Sequence, residues 1–487
     1  MTKFKINIGM ENDADFPVTT DESIVANEPS VTEEPTATEE PTVTEEPTVT
    51  EAPAATEAPE AIPESSVEGS PEPTPEPVAE EFFMEGAESA ESEMIDMVES
   101  SDEIDSSVDE IDDASNDVDT LTNYVDLAAS TVESGGMDET TAQAVTIGTE
   151  NIYNRLGVKR SALIPATEHF SDKTTRLGAT KVAIEDIKEK INQVQNAILT
   201  ADASAANKIS NFVGSFATVN GRLLSRAKGL KEKASKLVSL AAKEETVSFS
   251  SMKNLIDTDG KVNPATLITA LKQNAKVIEQ LARTAEYLAV YYKENTGTIK
   301  AIDDPVHFDK IEIFDLGKGF KAEGVAEDGV GNFVSDKLPG GRVVKIISAT
   351  DKAAKGKEAI LATAKSGMTV TDSITASSQT APCLTGKQMQ DVAEQVENIS
   401  IANEKANAAL RRLNDARSIF RNYFKSNNRN LSYLTDNESV TRANAVSKLS
   451  NGTSRVASQL STVLGKIGTD SAKAALDYIE KSMSQYK

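Results

Sequence analysis

The chain has no tryptophan, one cysteine and two histidines among its 487 residues, and aromatic residues make up 5% of it. The single cysteine, Cys383, excludes an intrachain disulfide framework and a zinc site built on several thiolates. His169 and His307 have no histidine, cysteine or paired acid at metal-ligand spacing, so we expect neither a metal nor another cofactor. The scarcity of aromatic residues favours helices that pack through small side chains.

Long apolar runs and catalytic motifs are also missing. No 18 consecutive residues are apolar, which predicts that no segment spans a membrane. The first residues do not resemble a secretory signal peptide, and we expect a protein made and kept in a cytoplasm. Patterns typical of hydrolases, kinases, P-loop NTPases and zinc proteases do not occur. The run Asp257–Gly260 fails as a calcium loop because its first and last ligands would be Leu255 and Thr266. We predict that the chain is not an enzyme.

Basic residues are absent between Lys5 and Arg155. Residues 1–154 contain 41 acidic residues and two lysines, a net charge of −39, whereas the whole chain carries −27. Residues 155–487 contain 48 basic and 36 acidic residues, a net charge of +12. An acidic arm is therefore attached to a mildly basic body, an asymmetry that bears on solubility and on partners rather than on the fold.

Two periodic patterns occur within the acidic part. Residues 31–53 repeat a six-residue unit of the type VTEEPT, and prolines and paired glutamates at this spacing can neither form a helix nor bury apolar surface. We therefore predict that residues 10–80 are disordered. From Glu88 onward, apolar residues recur at every seventh position and predict a long acidic helix. Since its second apolar row is weak, two interpretations stay open: a helix that needs a partner surface, or an ordinary helix on its own domain.

The basic body shows mostly helical patterns. Apolar spacings of 3 and 4 predict one helix through 184–198, another over 209–241 and a third over 262–292. Residues 306–348 contain β-branched and aromatic runs between glycines and predict short strands, followed by a polar linker to about residue 383. Two further helices, joined by a polar turn, predict an antiparallel hairpin. Asn403 and Arg417 interrupt the apolar stripe of its first helix.

The predicted fold class is therefore mainly α, with long antiparallel helices or helical bundles, one small β insertion at about 306–348 and a disordered acidic N-terminal arm. The predicted segments are the Thr/Glu/Pro-rich arm at 1–90, the acidic heptad helix at 91–134, the helical body at 135–300, the β-containing segment and polar linker at 301–383, and the C-terminal helical hairpin at 384–487.

A run of basic residues lies on the helix predicted at 209–241, away from its apolar stripe. Its members are Arg222, Arg226, Lys228, Lys231, Lys233 and Lys236. Such a run is most often a solvated face, but it is also suited to contact DNA phosphates without sequence preference. Because no aromatic residues are interleaved with it, we do not expect stacking on bases.

Several short motifs resemble the internal head proteins of phiKZ-like giant bacteriophages. The matching pieces are Gly135-Gly136, Leu156-Gly157, Pro165 with Glu168 and Phe170, the helix motif at 183–188 and Leu338-Pro339-Gly340-Gly341. The resemblance covers roughly residues 125–350. It implies a non-enzymatic virion structural protein, packed inside the capsid with the genome and present in the host cytoplasm during assembly. The implied partners are other head proteins and a prohead protease.

In the family that the chain resembles, the prohead protease cuts after Glu in small-x-Glu triplets, which implies that the acidic N-terminal region is a propeptide. We favour Ser89-Ala90-Glu91 as the processing site, since it lies at the predicted border between the disordered run and the heptad helix. Cleavage there would leave a net charge of −5. The alternative interpretation is an elongated coiled-coil or cell-surface stalk protein with Thr/Pro-rich repeats, which a signal peptide or a wall anchor would support.

Overall fold

The computed structural model describes residues 79–158, 167–299, 308–324, 329–428 and 437–486. The described residues from Phe82 onward form one compact unit. The disorder predicted for residues 10–80 lies outside the described residues, except that Ala79 and Glu80 begin a helix.

The architecture is mainly helical, which confirms the predicted fold class. The helices are α1 Ala79–Ser130, α2 Glu139–Leu156, α3 Arg176–Ser235, α4 Pro264–Ile299, α5 Gly356–Ala364, α6 Gly386–Asn428, α7 Asn437–Leu464 and α8 Ser471–Met483. A π-helical turn, Gly465–Asp470, connects α7 to α8. The carbonyl groups of this turn accept side-chain hydrogen bonds, from Arg342 to Lys466 and from Asn274 to Ile467, both at 2.6 Å.

α3 is one continuous helix of 60 residues, where the sequence predicted two. The eight residues from Leu199 to Ala206 join the two predicted pieces and contain four alanines but neither glycine nor proline. Nothing in this stretch ends a helix, and alanine is the strongest helix former. The break in the apolar pattern therefore marks a change of packing partner along one helix.

The main hydrophobic core lies among α3, α4, α6 and the α7–α8 pair. α6 runs antiparallel to α3, since Asn414 of α6 donates to the carbonyl of Ala206 while Asn220 of α3 donates to that of Ser400. α6 is also antiparallel to α7. α4 instead runs parallel to α6, because Lys405 and Arg412 pair with Glu279 and Glu286 in the same order along both helices. These helices form a bundle with mixed directions.

α1 packs against this body over its described side chains. The heptad residues Ile104, Ile111, Val118 and Val125 are all buried. From Ile111 onward they belong to a second hydrophobic cluster, which α1 shares with α2 and the first third of α3. Of the two interpretations, the structure favours a helix that needs a partner surface, because α1 packs against the body of the same chain.

The β structure extends beyond the predicted insertion. A four-stranded antiparallel sheet has the order β2 (Lys321–Ala322), β3 (Val330–Val334), β4 (Val344–Ala349) and β5 (Gly367–Val370), and a second sheet pairs β1 (Thr246–Val247) with β6 (Ala381–Pro382). α5, β5 and β6 lie in the stretch predicted to be a polar linker. β5 is only four residues long, and its strand conformation comes from pairing with β4 rather than from its own sequence.

The run from Phe308 to Leu316 was predicted as a strand, and this prediction is wrong for the described residues. It forms only an isolated bridge, between Glu312 and Lys355. Phe308, Ile311 and Leu316 are buried in the main core. Their apolar pattern reflects burial of an irregular segment, which alternation alone cannot distinguish from a strand.

Candidate functional site

Five of the six basic residues predicted to contact DNA phosphates lie on α3 and Lys236 directly follows it, but two of the six join helices of the bundle. Arg226 donates to Asp477 and Glu480 of α8 at 2.8–2.9 Å. Although burial lowers the pKa of its guanidinium, the hydrogen bonds and charges of Glu480 and Asp477 raise it. Lys231 donates to Glu397 of α6 at 3.0 Å. Both side chains therefore hold α3 against its neighbours.

The other four basic residues of the run differ in their surroundings. Lys228, Lys233 and Lys236 are exposed, and Arg222 is half-buried. Arg222 and Lys233 also interact with other residues of the chain. Neither Lys228 nor Lys236 forms an ion pair with a described residue. The structure does not bring the six together, because their positions along a helix of 3.6 residues per turn spread them over several faces.

The candidate processing triplet, Ser89-Ala90-Glu91, lies within α1 and not at its beginning. The border between the proline-rich segment and the helix is at Ala79, because Pro77 is the last proline before it and the residues that follow are mostly good helix formers. The first side chain of α1 described as buried is that of Ile104. Cleavage at the triplet therefore requires local unwinding of the N-terminal part of α1.

An ionic seam joins acidic α1 to α7. Asp112 pairs with Arg455, and Asp119 pairs with Lys448. Burial raises the pKa of the Asp112 carboxyl, and the charge and hydrogen bond of Arg455 oppose this shift. The seam shows that part of the acidic half is neutralised by basic residues of the body.

A chain of amide side chains continues this seam into the core. Asn444 of α7 donates to Thr122 of α1 at 2.6 Å and accepts from Gln195 of α3 at 2.7 Å. All three residues are buried. Because a buried polar group that loses its partner is costly, these contacts select one register of α1 on the body.

Arg417 and Asp202 form the most buried ion pair among the described residues, and the sequence did not predict this pairing. Arg417 of α6 donates to Asp202 of α3 at 2.8 Å and to Ser454 of α7 at 2.7 Å. The side chains of Arg417 and Asp202 are 3% and 2% exposed. The only sequence signal was that Arg417 interrupts an apolar stripe, which indicates a buried charge but not its partner. Its hydrogen bonds join α3, α6 and α7, which is a structural role.

Among the described residues, no group of three His, Cys, Asp or Glu side chains is placed to hold a metal ion. None of the described helices combines the length and the apolar composition that a membrane span requires.

Comparison with known protein families adds the decisive observation. The family model of phiKZ-like phage internal head proteins matches residues 88–481. The chain belongs to this family. The match is wider than the 125–350 of the predicted resemblance and takes in most of α1 and the C-terminal helices as well as the β-containing segment. No curated protein and no solved structure matches the chain.

This internal head protein is thus a structural protein of the phage head, associated with other head components. Family membership decides against the alternative of a cell-surface stalk protein. The match begins at residue 88, so that the Glu-Pro repeats lie outside it.

Proposed function

We propose that this internal head protein is a non-enzymatic component packaged in the capsid with the genome, and that a prohead protease removes its acidic N-terminal region during maturation. Assembly would take place in the host cytoplasm. The observation that carries the proposal is the difference in charge between the N-terminal region, which lies largely outside the family match, and the basic body. Residues 1–91 contain 24 acidic residues and two lysines, whereas residues 155–487 have a net charge of +12.

The acidic region has a physical role in this scheme. Like charges repel, so a precursor with a net charge of −27 should associate weakly with nucleic acid and remain soluble. Removing residues 1–91 brings the net charge to −5 and leaves the basic body as a larger share of the molecule. Ser89-Ala90-Glu91 remains the favoured cleavage site, because Ile104 and the residues after it anchor the rest of α1 to the body.

The test of processing is the N-terminus of the protein recovered from mature particles, determined by mass spectrometry. We expect the chain to begin at Ser92. Glu91→Gln should abolish this terminus, whereas Glu93→Gln, which changes the same charge outside any small-x-Glu triplet, should leave it unchanged. A mature chain that still begins near Met1 would show that the arm is retained, and the proposal of a propeptide would then fail.

We further propose that the body contacts genomic DNA weakly and without sequence preference. Two observations support this proposal: the net charge of +12 on residues 155–487, and the exposed side chains of Lys228 and Lys236. Arg226 and Lys231 contribute less, because their charges are engaged with acidic residues of α8 and α6. Phosphate contacts of this kind release counterions and weaken steeply with salt.

The DNA proposal is tested by titrating the mature chain with duplex DNA of unrelated sequences at low and high salt. We expect similar affinities for all sequences and a loss of affinity as salt rises, with the Lys228→Glu, Lys236→Glu double variant weaker than the wild type. Binding that does not respond to salt, or no binding at low salt, would refute phosphate contacts while leaving the processing result unaffected.

A further inference from the structure

A groove lies between the four-stranded sheet, α1 and α7. Its volume is about 640 Å³, within the range of about 300–1,000 Å³ typical of ligand sites. Asp112 and Asn116 of α1 form one wall, Lys448 and Arg455 of α7 form another, and the outward face of β4 supplies the floor. No residue of the groove belongs to the candidate DNA contacts or to the processing triplet.

The floor of the groove has an exposed apolar residue. Ile347 of β4 is 46% exposed. Its cross-strand neighbours are Asn332 on β3 and Gly367 on β5. Because Gly367 has no side chain, the amide of Gln459 on α7 lies beside it, and Ile347 still keeps nearly half of its surface in water. A ligand with a small apolar group would bury surface that the chain itself leaves in water.

Positive charge lies close to this apolar residue. Lys345 follows the same outward face of β4, two residues from Ile347, and Lys365 lies at the rim. Both lysines are exposed, and neither forms an ion pair with a described residue. On the α7 side, Lys448 and Arg455 already pair with Asp119 and Asp112. The positive charge available to a ligand is therefore on the sheet side, where the carboxylate of Glu323 also lines the groove.

One buried hydrogen-bond donor of the groove also has no partner. Asn451 of α7 lines the groove and is 2% exposed, and its Nδ2 makes no hydrogen bond among the described residues. Such a donor is costly to bury, and a carbonyl or carboxylate oxygen would satisfy it. The groove thus combines an apolar contact, two lysines and a buried N–H donor.

We propose that this groove binds an extended acidic peptide segment of another polypeptide, with an apolar residue and a glutamate two positions apart. In an extended chain, residues i and i+2 lie on the same face, as do Ile347 and Lys345 of the floor. The Val-Thr-Glu units within residues 31–53 have this spacing. They provide a model ligand in which valine covers Ile347 and glutamate approaches Lys345.

The geometry favours a peptide over duplex DNA. A groove of this volume admits a single extended chain but not a double helix, and its α1 wall carries the carboxylate of Asp112. A phosphate backbone would place charge along that wall, whereas a peptide can present uncharged threonine or proline to it. Peptide binding in the groove requires neither proteolytic processing nor packaging of the chain.

The test is a fluorescence anisotropy titration with a labelled synthetic peptide of residues 31–53. The proteins are the full chain and its compact unit, 82–487, which contains both hydrophobic clusters. We expect salt-sensitive binding that is lost when the glutamates of the peptide are replaced by glutamine. Lys345→Glu with Lys365→Glu should weaken binding about tenfold, since reversal replaces two ion pairs by repulsion.

The matched control is Lys228→Glu with Lys236→Glu, which changes the same charge on two exposed lysines that do not line the groove. We expect it to alter peptide affinity less than about twofold, because salt screens exposed charges that lie outside the site. Ile347→Ser should weaken binding without changing the net charge. The proposal is overturned if the peptide does not bind to residues 82–487. It is also overturned if the two charge-reversed double variants lose the same affinity, or if the peptide with glutamine in place of glutamate binds as tightly as the original. Displacement of the peptide by duplex DNA through Lys345 and Lys365 would overturn it as well.

Discussion

α1 and α7 lie side by side and antiparallel, yet they bury their residues in opposite ways. α1 places large aliphatic residues at every seventh position toward the body and keeps acids such as Glu103 and Glu110 in solvent. From Thr441 to Leu464, α7 has no exposed residue, although its sequence is rich in Ser, Asn and Thr. One helix follows the amphipathic rule, and the other is a polar helix at the centre of the bundle.

The difference shows how small polar residues can line a core. Two hydroxyls of α7 donate to carbonyls one turn earlier on the same helix, from Thr453 to Leu449 and from Ser461 to Ala457. Because their hydrogen bonds are made locally, these side chains can be buried without a partner on another helix. Small residues of α7 also let neighbouring backbones approach closely. At Gly452 the backbone of Ala364 in α5 lies where a Cβ would be.

The largest effect should come from the buried charge beside α7. Arg417→Met keeps much of the side-chain volume but removes the nearer of the two arginines that pair with the 2% exposed side chain of Asp202, leaving Arg421 at 3.7 Å. Breaking such a pair costs about 3–5 kcal/mol, and we expect this loss in urea unfolding followed by far-UV circular dichroism.

The matched control is Arg412→Met on the same helix. Arg412 pairs with Glu286 at 2.9 Å at the surface, and both side chains are exposed. Removing a surface ion pair costs about 0–1 kcal/mol. If the two variants lose equal stability, the buried ion pair contributes no more than the surface ion pair, and burial of the charges is not what makes Arg417 important.

A smaller effect is expected where α5 touches α7. A Cβ added at Gly452 would lie 2.5 Å from the carbonyl oxygen of Ala364 and 2.8 Å from its Cα. Gly452→Ala should therefore lower the free energy of unfolding by about 1–3 kcal/mol, since backbone atoms must move. Gly214→Ala on α3 is the control, because a Cβ there meets nothing within 4 Å. It should raise stability by up to about 1 kcal/mol. If both substitutions changed the free energy of unfolding in the same direction, the result would contradict close packing around α7.

The smallest effect concerns the acidic side of α1. Burial raises the pKa of Asp109, and the charges of Asp112 and Asp113 raise it further. The folded state therefore disfavours the ionised carboxyl, and this cost is present at neutral pH and disappears as pH falls below the unfolded value of 3.8.

Asp109→Asn should accordingly stabilise the chain by about 0.2–0.5 kcal/mol at neutral pH, the size of a like-charge pair on a helix, and leave it unchanged in acid. Thermal unfolding at several pH values measures the difference. Asp126→Asn removes a carboxylate whose neighbours one turn away are uncharged, and at neutral pH it should not gain stability from the relief of repulsion along the helix. A gain that persists in acid would mean that charge repulsion is not its cause.

The heptad residues of α1 and the stripes of α3, α4 and α6 could be predicted from the sequence because each helix buries one face, and such burial leaves a periodic pattern. The family could be recognised from short motifs for a similar reason, since glycine and proline steps mark places where the backbone must turn. The candidate sites were less predictable. A run of lysines and arginines on α3 looked uniform, but only the fold shows that Arg226 and Lys231 face acidic residues of other helices.

By itself, the sequence determined the mainly helical class, the acidic arm and basic body, and the burial of Ile104, Ile111, Val118 and Val125, all of which depend on local periodicity or on composition. Tertiary structure alone decided the rest. β5 becomes a strand because β4 pairs with it, Asp202 is neutralised because Arg417 reaches it from a distant helix, and α7 is central although its sequence is polar. Each of these outcomes depends on which segments meet in space, and a chain carries no local record of contacts between residues far apart along it.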